Sequence, residues 1–196
     1  MLKSKKDIVL VGGGGHCVSV IDIIENGSEF NILGILDSNK KAGNILGYRI
    51  LGSDELIPDL VREGNYFLIT VGQIKSSSAR TNIAKNLTQS NAKLATVTSP
   101  LAYVSKYAAI GEGTIIMNHA VINAQSKIGN NCIINTKANI EHGVNIGDFC
   151  HVSTCAVVNG DTVVGKGSFI GSNATISNGI SIKENSIISA GEFIRR

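Results

Sequence analysis

The residues able to do chemistry in this sequence are few. There are four histidines, His16, His119, His142 and His151, and a neutral imidazole can accept a proton near pH 7. Glu141 stands directly before His142, and Asn135 lies six residues before Glu141. His16 closes the run Gly12-Gly13-Gly14-Gly15-His16, which follows an apolar stretch and opens a helical pattern. Backbone N–H groups at such a junction can meet a phosphate. Asp37 ends the next strand pattern, where a carboxylate can hydrogen-bond a ribose or a base. The dinucleotide fingerprint G-x-G-x-x-G is incomplete, because Cys17 occupies its last position. The glycines therefore suit a smaller nucleotide-linked ligand better than NAD, and a βα turn that binds nothing is the plain alternative.

The elements around these residues fall into two kinds. In the first hundred residues, Ile8–Val11 reads as a strand, followed by the glycines and a helical pattern of Val18, Ile21, Ile24 and Glu25. Further strands are expected over Asn31–Leu36, Tyr66–Val71 and Lys93–Val97, with helices from Ser53 and over Ser76–Asn86. Gly72 follows the third strand. Strands alternating with helices make a small, Rossmann-like parallel α/β domain. Ser99-Pro100 marks its end, giving domains of 1–99 and 100–196.

From Val104 to Ile188 every sixth residue is Ile or Val, fifteen in succession. Four residues after each lies a small or apolar residue, such as Ala120, Ser126, Cys132, Ala138 and Cys150; only Glu192 departs. A bulky aliphatic and a small residue can alternate inside a narrow prism, with Gly and Asn at corners that need φ > 0. Three hexads close one triangular coil of 18 residues, so residues 18 apart stack about 4.8 Å from each other. His142 then falls near a corner, pointing out of the prism. Its partner one coil on is Gly160, whose bare backbone N–H can approach a ligand. Taken singly, His142 and His151 read equally well as exposed corner residues.

Composition narrows the function classes. Hydrophobic residues make up 43% and charged residues 17%, against roughly 25% charged in an average soluble chain, so the chain is not a disordered tail. A net charge of +3 is too small for a nucleic-acid surface. Four cysteines without a CxxC pair do not form a disulfide framework. Cys132 and Cys150 read as small core residues and Cys155 is open. The basic start followed by Ile8–Val11 is too short for a signal peptide, and no stretch has the ~20 apolar residues of a membrane span. A cytoplasmic protein is expected.

A glycine-and-histidine α/β domain followed by a hexapeptide left-handed parallel β-helix resembles the bacterial nucleotide-sugar acetyltransferases along essentially the whole chain. It is most similar to the UDP-4-amino-sugar N-acetyltransferases, with sialic-acid O-acetyltransferases as near relatives. The segment Asn135-Thr-Lys-Ala-Asn-Ile-Glu141-His142, with His151-Val-Ser nine residues on, carries the resemblance. It implies His142 as general base, Glu141 orienting it, and Gly160 donating to the thioester oxygen. It also implies Asn135 on the acceptor, with His151 and Ser172 on acetyl-CoA. Gly12, Gly14, Gly15, His16, Asp37 and Gly72 would hold the nucleotide sugar. Acetyl-CoA is the implied co-substrate, no metal is expected, and the implied assembly is a homotrimer with sites between subunits.

Members of that group continue past the last coil into a proline-bearing tail over coenzyme A, whereas this sequence stops at Arg195-Arg196. A different hold on the adenine end is the expectation, with the two arginines either solvated or on a phosphate. From other classes, a zinc carbonic-anhydrase-like β-helix needs a His-x4-His pair and a third histidine, but the spacings are 23 and 9. A β-helix without catalysis would fail to bind acetyl-CoA.

Overall fold

The alternation of apolar runs and helical patterns builds a six-stranded sheet, described by a computed structural model covering residues 5–39 and 42–195. Met1–Ser4, Lys40, Lys41 and Arg196 lie outside the described residues, so the expectation for Arg196 does too. Contacts divide the chain into one unit of Met1–Gly72 with Ala79–Ala95 and a second of Gln73–Ser78 with Thr96–Arg196.

In the first unit β1 (Lys6–Val11) runs between β2 (Phe30–Leu36) and β5 (Tyr66–Ile69), all parallel. Ile8, Val9 and Leu10 are fully buried, as the continuous apolar run of a central parallel strand requires. Helix α1 (Gly15–Asn26) buries Cys17, Val20, Ile21, Ile23 and Ile24 on one face. The sequence reading missed a hairpin of β3 (Asn44–Ile45) and β4 (Tyr48–Gly52), the latter beside β2. Its two turn residues, Leu46 and Gly47, have φ of 48° and 89°, the tight turn that suits twisted strands. The helix expected from Ser53 is a short 3-10 turn, Asp54–Leu56, leading into α2 (Ile57–Arg62).

Helix α3 (Ser78–Gln89) starts two residues later than expected because the Ser76 hydroxyl accepts the Ser78 N–H and stays outside the helix. The Lys93–Val97 strand divides. Its start is β6 (Lys93–Leu94), paired with β5, whereas Val97–Thr98 pairs with Ile115–Ile116 in the second unit. An alternating run carries no mark of which ladder it will join.

The second unit is a left-handed parallel β-helix of two-residue strands on three faces, of six, six and five strands. Each strand pairs in parallel with the one 18 residues away, as Ile140 does with Ile122 and Val158. The inward aliphatics Ile116, Ile122, Ile134, Ile140, Val152, Val158, Ile170 and Ile176 are fully buried, each contributing about 2–3 kcal/mol of transfer free energy. Cys132 and Cys150 fill inward slots, and each thiol lies 3.2 Å from a glycine carbonyl, of Gly147 and Gly165. Burial pushes the Cys150 thiol up to about 11, so it stays protonated and inert at neutral pH.

The corners differ from expectation in one respect. Positive φ recurs every six residues from Gly113 to Gly191, three positions after each aliphatic, and His119, Lys137, Phe149 and Cys155 adopt it too. The glycine directly after the aliphatic has another purpose. A Cβ on Gly129 would lie 2.6 Å from the Asp148 backbone nitrogen, so that glycine lets coils stack closely.

Candidate active site

In the first unit the glycine turn is built by its neighbours. Gly12 has φ +108°, and a Cβ there would lie 2.3 Å from Val71 Cγ2. Its N–H donates to the Leu36 carbonyl, and its own carbonyl accepts from the Thr70 hydroxyl. The Asp37 carboxylate accepts from the Gly13 N–H at 2.7 Å and the Asn39 N–H at 2.9 Å. Asp37 thus holds the turn, with lone pairs to spare for a ligand. Gly14 caps α1 without any side-chain bond, and neither Gly14 nor Gly15 has an atom within 4 Å of the Cβ it lacks. Open space therefore meets the positive end of the helix. His16 is half-buried, and its Cβ is the one neighbour near exposed Gly72.

Beside this turn is a cavity of about 280 Å3, lined by Val11, Gly12, Asp37, Ser38, Asn39, Asp54 and apolar residues including Val71 and Ile83. Burial raises the Asp54 carboxyl above the ordinary range, with nearby Asp37 adding to the shift and a Ser38 hydrogen bond opposing it. The Asp37 and Asp54 carboxylates in its lining can accept from a donor-bearing group such as a base or ribose, while phosphate suits the helix end. Arg80, 1% exposed, donates to the carbonyls of Ile69 and Val71 and shapes the chain leading to Gly72. The sequence reading found neither Asp54 nor Arg80; Arg80 appeared only as a helical residue.

In the β-helix unit, His142 is exposed at a corner and its ring makes no hydrogen bond among the described residues. The structure brings it onto Gly160: a Cβ on that glycine would lie 2.8 Å from His142 Cε1 and 2.9 Å from Nε2. The Gly160 N–H has no acceptor among the described residues, although its carbonyl accepts from Gly179. An imidazole lone pair and an unspent backbone donor thus stand side by side.

Glu141 is placed differently from the orienting role. Its carboxylate accepts from Asn123 at 3.0 Å and Asn139 at 2.9 Å, and no hydrogen bond joins it to His142. The sequence reading did not single out those two asparagines, although Asn123 lies 18 residues before Glu141, the spacing at which coils stack.

His151 is 6% exposed, and its ring meets Phe169 edge-on at 5.2 Å. Its Nδ1 is 2.6 Å from the Gln73 carbonyl, and its Nε2 is 3.0 Å from the Asn135 amide nitrogen. The Ser172 hydroxyl shares a hydrogen bond with that of Ser153 at 3.0 Å. The exposed His119 takes a positive-φ corner position. Among the described residues, no group of three or more His, Cys, Asp and Glu gathers as a metal site would. Arg195 is exposed, with its guanidinium 5.4 Å from the Phe193 ring centroid.

Residues 7–87 match the PglD N-terminal domain, and residues 161–196 match the hexapeptide repeat of succinyl-transferase. UDP-N-acetylbacillosamine N-acetyltransferase of Bacillus subtilis is 35% identical over 119 residues, 57% of this chain. The match spans about half of that enzyme, 51%. A histidine mutant of perosamine N-acetyltransferase from Caulobacter crescentus, in complex with CoA and GDP-perosamine, superposes with a TM-score of 0.92. It is 28% identical, over 98% of this chain and 90% of that one.

The chain is similar in both of its units to hexapeptide-repeat nucleotide-sugar acetyltransferases.

Another similar structure is the acetyltransferase domain of PglB from Neisseria gonorrhoeae, in complex with acetyl coenzyme A. Its TM-score is 0.89 at 27% identity, over 96% of this chain and 90% of that domain. This chain pairs an α/β unit with a β-helix, and no described helix is long and apolar enough to cross a membrane.

Proposed function

We propose that the protein is a cytoplasmic, acetyl-CoA-dependent N-acetyltransferase acting on the amine of a nucleotide-linked sugar, with a UDP-4-amino sugar as acceptor. The observation that carries this is the exposed His142 imidazole laid over Gly160, whose N–H has no acceptor among the described residues. As the amine attacks the thioester carbonyl, His142 takes its proton. The Gly160 N–H donates to the oxygen on which negative charge develops. Collapse of the tetrahedral adduct forms the amide and expels the coenzyme A thiolate, so no protein nucleophile is needed. Protonated Cys150 in the core is unsuited to one.

Residues 1–99 would bind the nucleotide sugar and residues 100–196 would carry out transfer. In this reading Gly12, Gly14, Gly15, His16 and Gly72 surround the phosphates, while Asp37 takes ribose or base. His151 and Ser172 would lie along acetyl-CoA, and Asn135 along the acceptor.

Thiol release from acetyl-CoA tests the activity directly. It is expected with a UDP-4-amino sugar, and weaker or absent with free or CMP-linked sialic acid. Release with sialic acid and none with any amino-sugar nucleotide would turn the assignment to O-acetylation while leaving the fold in place.

Gly160→Ala is expected to lower kcat by about 10²-fold, because the new methyl would lie 2.8 Å from the imidazole, which must move away from the N–H. Its melting temperature should change little, since His142 can swing into solvent. Wild-type turnover in this variant would remove Gly160 from the site.

The outward residues of the second face, the six-stranded one carrying Ile122, Ile140 and Val158, include Val121, Val157 and Thr175, all half-buried, and a homotrimer packing such faces together would place His142 between subunits. Light scattering is expected to give three times the chain mass at micromolar concentration. A monomer would count against shared sites.

A further inference from the structure

His151 is one of three histidines that the proposed function draws on, yet its ring is closed in by the protein. The partners of the ring determine its protonation atom by atom. A carbonyl oxygen can only accept, so the Gln73 carbonyl, 2.6 Å away, requires a proton on Nδ1. The Thr136 N–H donates to Asn135 Oδ1 at 2.7 Å, which settles the orientation of that amide and turns its nitrogen toward His151. The nitrogen, 3.0 Å from Nε2, can only donate. Nε2 is therefore the unprotonated, accepting atom, and His151 is a neutral Nδ1–H tautomer with no lone pair left for catalysis.

The carbonyl that imposes this belongs to a buried side chain's own residue. Gln73 is 2% exposed, and its amide nitrogen reaches the carbonyl of Phe149 at 2.8 Å and of Gly167 at 3.2 Å. Those carbonyls are stacked on successive coils, 18 residues apart. The side chain thus staples the Gln73 backbone to the β-helix, and the backbone carbonyl is thereby held against the imidazole.

We propose that Gln73 is a positioning residue for acetyl transfer: its clamp on the β-helix sets the His151 tautomer, and His151 in turn sets the direction of the Asn135 amide. Asn135, half-buried, keeps its second N–H for a ligand. The proposal rests on the reading that Asn135 and His151 line the acceptor and acetyl-CoA sites.

Two measurements separate the proposal from that reading. Nitrogen-15 histidine spectra of the wild-type protein are expected to show His151 protonated on Nδ1 and bare on Nε2, whether or not any substrate turns over. The opposite tautomer would overturn the proposal without any variant being made. Gln73→Met fills the same volume and donates nothing. It should lose the Nδ1–H signature and raise a substrate KM about tenfold with kcat within about threefold. In Gln73→Glu the carboxylate faces two carbonyls, so KM should be raised at neutral pH. It should recover as the pH falls and the carboxyl can donate again. An unchanged His151 signature in Gln73→Met, or a changed signature with wild-type kinetic constants, overturns the positioning role. If the wild-type protein releases no thiol with any amino-sugar nucleotide, the functional reading falls, and the tautomer still decides what Gln73 does to His151.

Discussion

His142→Ala is expected to lower kcat by about 10²–10⁴-fold, the usual worth of a positioned general base. The reason for so large an effect is the absence of a substitute. His151 has both ring nitrogens engaged by Gln73 and Asn135. Glu141 is held by two asparagine amides on the second face. The side-chain atoms nearest a Cβ at Gly160 are those of His142 and, at 3.3 Å, the Asn178 amide nitrogen, which cannot act as a base. The melting temperature should stay within about a degree or two, since an exposed ring without hydrogen bonds contributes little to stability. The assay is steady-state thiol release at saturating acetyl-CoA. Turnover within threefold of wild type would remove His142 from the base role.

Ile140→Asp should unfold the β-helix although it lies two residues from that ring. Ile140 is fully buried and paired on both sides, with Ile122 and Val158. The neighbouring inward positions are Ala138 and Val144, both fully buried and without polar groups. An aspartate there would stay unpaired, at a cost of more than about 5 kcal/mol, comparable with the whole stability of a small domain. Circular dichroism and urea titration should show loss of the cooperative β-helix transition at neutral pH. The defect should lessen in acid, where a carboxyl forced to remain neutral in the core costs less. Ile140→Val, which removes one methylene, should cost only about 1 kcal/mol. A folded Ile140→Asp with a wild-type transition would mean that the prism admits water.

The β-helix was legible because its rule is local and repeated. An aliphatic every six residues and a small residue four later state which side chains point inward, and the buried residues Ile116 to Ile176 follow that rule. Stacking at 18 residues then placed His142 against Gly160, since only backbone spacing was needed. The glycine turn before α1 was legible for a similar reason, as strand, turn and helix are contiguous in the chain. The Lys93–Val97 run and the β3–β4 hairpin were not. A short alternating segment suits more than one ladder, and a two-residue strand carries almost no pattern of its own.

Hydrogen-bond partners outside the 18-residue stacking lay beyond the sequence. His151 meets the Gln73 carbonyl 78 residues away. Residue types announce only that a histidine could be a base or a ligand. Which nitrogen of His151 holds the proton depends on a carbonyl and an amide that the folded chain brings to it. The free lone pair of His142 likewise depends on what the fold leaves out of reach. Periodicity specified where side chains point, because direction follows from local backbone geometry. Tertiary structure decided which of them still have a proton or a lone pair to use, because that depends on every polar group within about 3 Å, wherever in the chain it originates.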